Sequence, residues 1–536
     1  MLCEDGCVPG HLFVIRGDLT KLACDDVLIP TDEGFVIEAP WREMAPTLGP
    51  GTTWGDNSVI PHPRPPGDGP RVWLGRVGAD ERTPTEHFSS VIAAFAERAR
   101  SDLAPGDGRA KQRLAVNLVG SGKGGAISRK GALIKTILHA LNAAADTHDV
   151  DVVLVTWSAK AYAAVQHIRR VECHPSFPEG VDPEGRLMER AERLADYARS
   201  GNLVLFLGAG VSAGAGLPTW RDLLTTTAER LGLTGEQCRQ LDRRDPRDAA
   251  AILAAQPNGD RFRSTVCDVI GSAQRYSLVH GLLASLPTCE AVTTNYDTLF
   301  EVAAVTDGRQ LAVLPDHPSG AKGRWLLKLH GSIDDPGRIV ITRSDYLNMP
   351  RQYGALMGLV QAMLMMRHML FVGYSLSDED FHELLYEVRL ARHEKQGGTS
   401  GAPFGTVLPL FRDPLAADLW RDELDVVPMS VKDRPTPQDR VVTTEAARIL
   451  EIFLDVMTLH ATTSREFLLD DTFAGLLDEE ERAVRTDLLQ LARSPHLETA
   501  AGEPIRRFLK DLGLEQQPGR RGSTVEGGSA SMRREH

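Results

Sequence analysis

Short runs of branched and aliphatic residues recur along the chain, each closed by glycine, proline or a polar cluster. In the first third they are Leu12 to Arg16, Asp26 to Pro30, Arg71 to Leu74, Leu114 to Val119 and Asp151 to Thr156. Helix-period segments, His87 to Arg100 and Gly131 to Asp146, lie between them, and this alternation predicts an α/β domain. A second series comprises Asn202 to Leu207, Ala291 to Thr294, Trp325 to Leu329, Met369 to Gly373 and Thr406 to Leu410. Its runs are almost continuously apolar, which suits a parallel sheet covered on both faces. From Thr443 the period becomes helical, with Ile449, Leu450, Phe453, Leu454 and Met457 along one stripe.

Proline and glycine punctuate the chain at Pro61 to Pro70, His174 to Gly185 and Gln396 to Gly405, read respectively as a loop within a domain, a linker and a late loop. The most apolar stretch, Gly354 to Gly373, is interrupted by Gln361, Arg367 and His368, so its methionines are expected to pack a helix and a strand inside a core. Met1-Leu2-Cys3-Glu4-Asp5 lacks the basic start and apolar core of a signal peptide, and a cytoplasmic location is the expectation. A net charge of -13 opposes attraction to polyanions, so neither a membrane nor direct nucleic-acid binding is expected. Cysteines at 3, 7, 24, 173, 238, 267 and 289 form no C-x-x-C pair. Free thiols and no metal site follow, although Cys3 with Cys7, or Cys173 with His174, could in principle share an ion.

The chemistry concentrates after the run Leu203 to Leu207, which leads into Gly208-Ala209-Gly210-Val211-Ser212-Ala213-Gly214-Ala215-Gly216 and then Leu217-Pro218-Thr219-Trp220. Glycines directly after a strand let backbone approach a ligand, and amides at a following helix start attract a diphosphate. Alone, the pattern fits a tight turn equally well. As a dehydrogenase fingerprint it fails at the ribose-binding acid, since Glu229 falls in a helical stretch. Three more polar clusters close apolar runs: Thr293-Thr294-Asn295-Tyr296-Asp297, Lys328-Leu329-His330-Gly331-Ser332 and Gly373-Tyr374-Ser375-Leu376-Ser377-Asp378. In a doubly wound sheet these would converge with the glycine loop on one site.

The order Gly-Ala-Gly-Val-Ser, Thr-Asn-Tyr-Asp, Leu-His-Gly-Ser and Gly-Tyr-Ser resembles the sirtuin fold over roughly residues 186 to 430. It looks specifically like the sirtuin-like effectors of bacterial anti-phage defence. That resemblance implies NAD as substrate, with Asn295 orienting the nicotinamide ribose or the attacking water and His330 acting as base. It implies that Gly208, Ala209, Gly210 and Ser212 cradle the diphosphate and that Asp297 supports the nicotinamide side. Gly373 and Ser375 join the cofactor-binding set, Ser375 on the adenosine half. Histidine suits the base because its ordinary pKa lies near neutrality; in isolation His330 could simply cap a loop, and Asn295 could be a turn residue. Sirtuin deacetylases carry a four-cysteine zinc module, whereas no cysteine follows Cys289 here. Its place is taken by Ile339 to Tyr346, read as a strand and turn. Leu-Pro-Thr-Trp-Arg (217 to 221) likewise departs from the deacetylase pattern Ile-Pro-Asp-Phe-Arg. Hydrolysis to nicotinamide and ADP-ribose, without a metal, is therefore the expected reaction.

Arg16-Gly17-Asp18-Leu19-Thr20 and Gly120-Ser121-Gly122-Lys123-Gly124-Gly125 resemble a macro domain. By that match Asp18 would take adenine, and Gly120, Gly122 and Gly124 the phosphates of an ADP-ribose-type ligand. Pro30-Thr31-Asp32-Glu33 stands where a macro domain reads Asn-Ala-Asn, which favours sensing over hydrolysis. A Walker A motif fails at Asn117 and Gly124. The whole reading is α/β: a macro-like α/β domain (1–173), a linker (174–185), a sirtuin-like Rossmann-type parallel-sheet domain (186–435), a helical C-terminal segment (436–515) and a disordered tail (516–536). A homo-oligomer gated by a nucleotide or by assembly is the expected state. Two rivals remain: an ADP-ribosyltransferase, and a non-enzymatic regulator that senses NAD or ADP-ribose.

Overall fold

The computed structural model describes residues 8–46, 48, 51–63, 69–78, 82–100, 108–121, 127–305, 310–316, 323–376, 379–396, 403–433 and 440–514. The first sheet is built from β1 (Leu12–Arg16), β2 (Asp26–Thr31), β3 (Val59–Pro61), β4 (Arg71–Arg76), β5 (Arg113–Asn117) and β6 (Asp151–Thr156). Their order is β1-β6-β5-β2-β4-β3, with β3 alone antiparallel. The second sheet is built from β7 (Leu203–Leu207), β8 (Glu290–Thr293), β9 (Leu311–Leu314), β10 (Arg324–Lys328), β11 (His368–Val372), β12 (Gly405–Leu408) and β13 (Leu424–Val426). All its pairings are parallel, in the order β13-β12-β11-β7-β8-β10-β9. Among the described residues no helix is long and apolar enough to cross a membrane.

Alternation along each strand decides which layer a side chain joins. In β7, Val204 and Phe206 pack with Met349, Val360, Phe381 and Leu384 of the helices Arg343–Met366 and Glu379–Gln396. Leu205 and Leu207 face the other way, into a cluster that also receives Phe13, Ile15, Val27, Ile29, Val153 and Val155 of the first sheet. Between the sheets lie the helices Arg186–Arg199, Leu278–Ser285 and Arg440–Ala461. One helix layer thus serves both sheets. Every residue of Leu278–Ser285 is buried, as expected of a helix with sheet on either side. At its middle, a Cβ on Gly281 would come within 2.8 Å of Ile15 Cδ1 and 3.3 Å of the Tyr276 ring, so glycine suits this close approach to the first sheet.

Residues 174–185 have no regular helix or strand, yet Phe177 packs on Phe453 of Arg440–Ala461 with ring centroids 6.3 Å apart. Farther along, Phe467, Phe473 and Leu509 join the outer core of the first sheet with the helices Thr85–Ala99 and Lys130–His148. The strand and turn expected over Ile339 to Tyr346 does not form. Thr342 instead caps the helix Arg343–Met366 in a reciprocal box with Asp345. The Asp345 carboxylate also accepts from the amides of Ile341 and Thr342 (3.1 and 2.8 Å), bonds that a strand pairing would have displaced.

Helix Arg440–Ala461 docks on the first sheet through charge. Arg448 bridges Asp151 (2.6 Å), Glu451 accepts from Arg113 (2.6 Å), and Asp455 meets Arg169 and His11, the latter at 2.9 Å. Positions 448, 451 and 455 share one helix face. Burial opposes ionisation of Asp455, but the Arg169 charge and the hydrogen bonds from His11 and Arg169 hold its carboxyl below the usual range. Asp455→Ala leaves the Arg169 guanidinium buried without its counter-charge, so a loss of about 3–5 kcal/mol is expected in urea unfolding of the full chain. A paired Arg169→Met, Asp455→Leu variant should recover most of it; an unchanged midpoint for the single variant would refute this role for the pair.

Candidate functional site

Strand β7 lies between β11 and β8, and the chain leaves it toward β8 but returns on the β11 side. The carboxyl ends of β7, β8, β10 and β11 therefore meet at the place where a parallel sheet opens a crevice. Those four ends hold the glycine loop, the Thr-Asn-Tyr-Asp loop, Leu329-His330 and Gly373-Tyr374-Ser375.

The glycines bring two loops into contact. A Cβ on Gly208 would fall 2.4 Å from Gly373 O, one on Gly210 2.8 Å from Gly373 Cα, and one on Gly373, whose φ is +65°, 2.4 Å from Val211 N. The Gly208 and Gly210 amides donate to the carbonyls of Val372 and Gly373, each at 2.9 Å. Those two N–H groups are engaged by β11 and its loop, while Ala209 and Gly210 are themselves exposed. The loop continues as the 3-10 turns Ala209–Val211 and Ala213–Ala215, and the following α-helix starts only at Trp220.

Around Ser212 the hydrogen bonds form a closed network. The buried Ser212 hydroxyl donates to Asp297 Oδ2 (2.8 Å) and accepts from Asn295 Nδ2 (3.2 Å). Asn295 Nδ2 also donates to Gly208 O (3.0 Å). A carbonyl can only accept, so this contact fixes which end of the amide is nitrogen. Asn295 Oδ1 accepts no hydrogen bond among the described residues, and the residue is half-buried. Asp297 Oδ1 accepts from the Leu299 amide (3.0 Å), so both carboxylate oxygens serve the chain itself.

Strands β8 and β10 pair Thr293 with Lys328, which sets Asn295 and His330 at the same level, two residues beyond that pair. His330 is buried, its ring edge-on to Tyr346 at 5.3 Å. Trp220 stands 6.4 Å from Tyr346 and 6.3 Å from Tyr296, and its indole Nε1 is buried without a hydrogen-bond partner among the described residues. Tyr346 thus packs both His330 and Trp220, and an orphaned buried donor such as Trp220 Nε1 suits a ligand with an acceptor oxygen. Ser375 is exposed at the end of the β11 loop. A hollow of about 380 Å³ beside the Gly337–Val340 segment is lined also by Asp345, Gln352 and Tyr353, and contains neither Asn295 nor His330.

Two groups escaped the sequence reading of this site. Lys328, recorded there only as a strand end, is buried and donates from Nζ to Asp297 O (2.6 Å), Tyr296 O (3.3 Å) and Glu301 Oε1 (2.8 Å), tying down the loop that bears Asn295. Burial pushes the Glu301 carboxyl up, against the pull of Lys328. His280 sits beneath Ser212 with Nε2 3.5 Å from the hydroxyl. Ser277-Leu-Val-His280 is a capping pattern visible in sequence, but nothing in it points to Ser212.

In the first sheet, Asp18 Oδ1 accepts from Thr20 N and Oγ1 (2.9 and 2.7 Å), while Oδ2 accepts nothing among the described residues. Gly120 has φ +78°, and a Cβ there would strike the Phe88 ring at 2.5 Å. Gly122 and Gly124 lie outside the described residues, as do Cys3 and Cys7. No group of three or more histidine, cysteine, aspartate or glutamate side chains placed to hold a metal occurs among the described residues.

Residues 290–422 match the family model of the SIR2-like domain. Among curated relatives, the NAD(+) hydrolase ThsA of Acinetobacter baumannii is 28% identical over 212 residues, 38% of this chain and 43% of that protein. The NAD(+) hydrolase ThsA of Enterococcus faecium is 28% identical over 213 residues, covering 38% and 44%. Defense-associated sirtuin 2 of Bacillus subtilis is 25% identical over 213 residues, covering 38% and 21%. The chain spans less than half the length of these relatives. A solved structure titled Alphavirus P23pro-zbd overlaps 60% of this chain and 46% of its own at 12% identity, with a TM-score of 0.26, too low to bear on either sheet.

Burial lowers His280 from its ordinary 6.5 to about 4, against the opposing pull of the Asp297 charge, and burial likewise lowers His368 to about 4. Both are neutral in the fold at neutral pH. On acidification the unfolded chain takes up these protons first, so the stability they confer is complete above about pH 6.5 and lost as pH falls toward about 4. The thermal midpoint should therefore drop between pH 7 and pH 5, and His280→Gln should flatten part of that slope. A midpoint that rises over this interval would contradict the assignment.

Proposed function

We propose that the chain hydrolyses NAD to nicotinamide and ADP-ribose at the crevice of the second sheet. The observation that supports this most is the Asn295 carboxamide, held through its nitrogen by Gly208 O and Ser212 Oγ so that Oδ1 stays open beside the His330 level. An acceptor oxygen in that position suits a ribose hydroxyl or a water. The bond that breaks joins the ribose anomeric carbon to the pyridinium nitrogen, and nicotinamide departs neutral without needing an acid. Water oxygen forms the new bond, and its proton passes to His330 as base. Asp297, on the nicotinamide side, and Lys328 position the Asn295 loop.

The SIR2-like match and the relatives named NAD(+) hydrolase support the same chemistry, and the defence-associated relative supports NAD depletion in anti-phage defence as its setting. NAD loss would poison the producing cell, so a gate belongs to the reading. An ADP-ribose-type ligand at Asp18, whose Oδ2 is open, or assembly as a homo-oligomer would supply it.

Nicotinamide release by the purified full chain, with and without infected-cell extract, tests the reaction. Asn295→Ala and His330→Ala should each reduce it by about 100-fold or more with the circular dichroism spectrum retained. Wild-type turnover in both variants would remove this mechanism, and ADP-ribose found on macromolecules in place of free product would replace hydrolysis with transfer. A thermal shift of the full chain with ADP-ribose is expected for the gate; no shift, together with wild-type response in Asp18→Ala, would exclude that ligand.

A further inference from the structure

The turn Gly17–Lys21 of the first sheet and the Ser212–Asn295 network of the second are both fastened to one short segment. On the first side stands Tyr276, wholly buried. Its hydroxyl donates to Asp18 O (2.8 Å), its amide donates to Lys21 O (2.8 Å), and its carbonyl accepts from the Ala23 amide (2.9 Å). A Cβ on Gly17 would lie 2.4 Å from the Tyr276 hydroxyl, so the turn rests directly on this ring.

On the second side stands the next residue. Ser277 Oγ donates to Val211 O (2.8 Å), and Ser277 Cβ lies 3.2 Å from the position a Cβ on Gly214 would take. Ser277 N donates to His280 Nδ1 (3.2 Å), so Nδ1 accepts and the ring proton sits on Nε2, facing Ser212 Oγ at 3.5 Å; the Ser277 hydroxyl, 2.8 Å from both Val211 O and Nδ1, shares its single proton between these two acceptors. Ser212 in turn donates to Asp297 and accepts from Asn295.

Adjacent α-carbons are held about 3.8 Å apart by the peptide unit, so Tyr276 cannot shift without moving Ser277. The helix that follows, Leu278–Ser285, is buried along its whole length and cannot swing to absorb such a shift. We infer that Tyr276, Ser277 and His280 form a positioning strut, through which the Gly17–Lys21 turn of the first sheet sets the orientation of the Asn295 carboxamide. The inference deepens the proposed NAD hydrolysis and rests on it for its effect on catalysis; the mechanical linkage stands on the hydrogen bonds alone. A displacement at the turn, by a ligand or by a neighbouring subunit, then reaches the candidate site through three consecutive contacts: Asp18 O to Tyr276, Ser277 to Val211 O, and His280 to Ser212.

Tyr276→Phe removes one hydroxyl on the first-sheet side and keeps the ring, so the full chain is expected to fold. Losing the bond should lower kcat for NAD about fivefold with KM within about twofold. Amide hydrogen exchange should quicken both at residues 17–23 and at residues 208–216. Asp470→Ala, which breaks the pair with Lys160 on the outer side of the first sheet (2.7 Å), serves as a variant of comparable destabilisation that leaves kcat and the 208–216 amides unchanged. Exchange that quickens only at 17–23, or a Tyr276→Phe kcat equal to that of wild type, would overturn the strut. If the wild-type chain releases no nicotinamide under any condition, the proposed reaction fails, and the exchange result still decides the linkage.

Discussion

The three buried charges on helix Arg440–Ala461 are the constraint from which the architecture follows. Arg448, Glu451 and Asp455 each meet an opposite charge supplied by the first sheet or by the turn after its last helix. Buried ion pairs contribute little net stability over apolar packing, yet they tolerate misplacement poorly, because a shifted partner leaves a charge stranded. They therefore fix where the helix lies. Apolar residues on its remaining surface, Ile449, Leu450, Phe453 and Met457 among them, complete the core between the two sheets. Registry is set by charge and adhesion by hydrophobic area.

This arrangement explains why a segment far along the chain matters to a site built from residues 208 to 375. Helix Arg440–Ala461 and helix Leu278–Ser285 share the middle layer, and the latter begins at Ser277, which holds Val211 O. Both sheets therefore lean on the same helices. Motion of one sheet relative to the other must be taken up in that layer, where packing is dense and the Gly281 backbone already lies against Ile15 and Tyr276.

Strands were the most legible part of the sequence, because a parallel strand covered on both faces is a continuous apolar run, as in Leu203–Leu207 and His368–Val372. The short edge strands Val59–Pro61 and Leu424–Val426 were not legible: three residues give no period, and Pro61 reads as a breaker although an edge position tolerates it. Ile339 to Tyr346 misled for the opposite reason. Its branched residues favour a strand, but Thr342 and Asp345 close a helix cap that decides the local structure. Strand direction was legible enough to set the loops after Leu203–Leu207, Glu290–Thr293, Arg324–Lys328 and His368–Val372 at one end of the parallel sheet. The contacts of His280 and Tyr276 could not be read, because Leu-Val-His-Gly-Leu-Leu-Ala-Ser shows no amphipathic face and owes its importance to a second sheet that sequence does not place.

Donor and acceptor accounting gives the site its direction. The Ser212 hydroxyl has one proton and two lone pairs: the proton goes to Asp297, and the lone pairs face Asn295 Nδ2 and His280 Nε2. Asn295 spends its amide nitrogen on Ser212 and Gly208 O, and Asp297 spends its second oxygen on Leu299. Among the described residues each of these oxygens and nitrogens has a partner within the chain, and Asn295 Oδ1 accepts none. A neutral His280 is required for that pattern, since protonation at Nδ1 would set two donors, the ring N–H and the Ser277 amide, against each other. Burial keeps the imidazole neutral, while the bond from Asn295 Nδ2 to Gly208 O keeps the carboxamide turned with its oxygen outward.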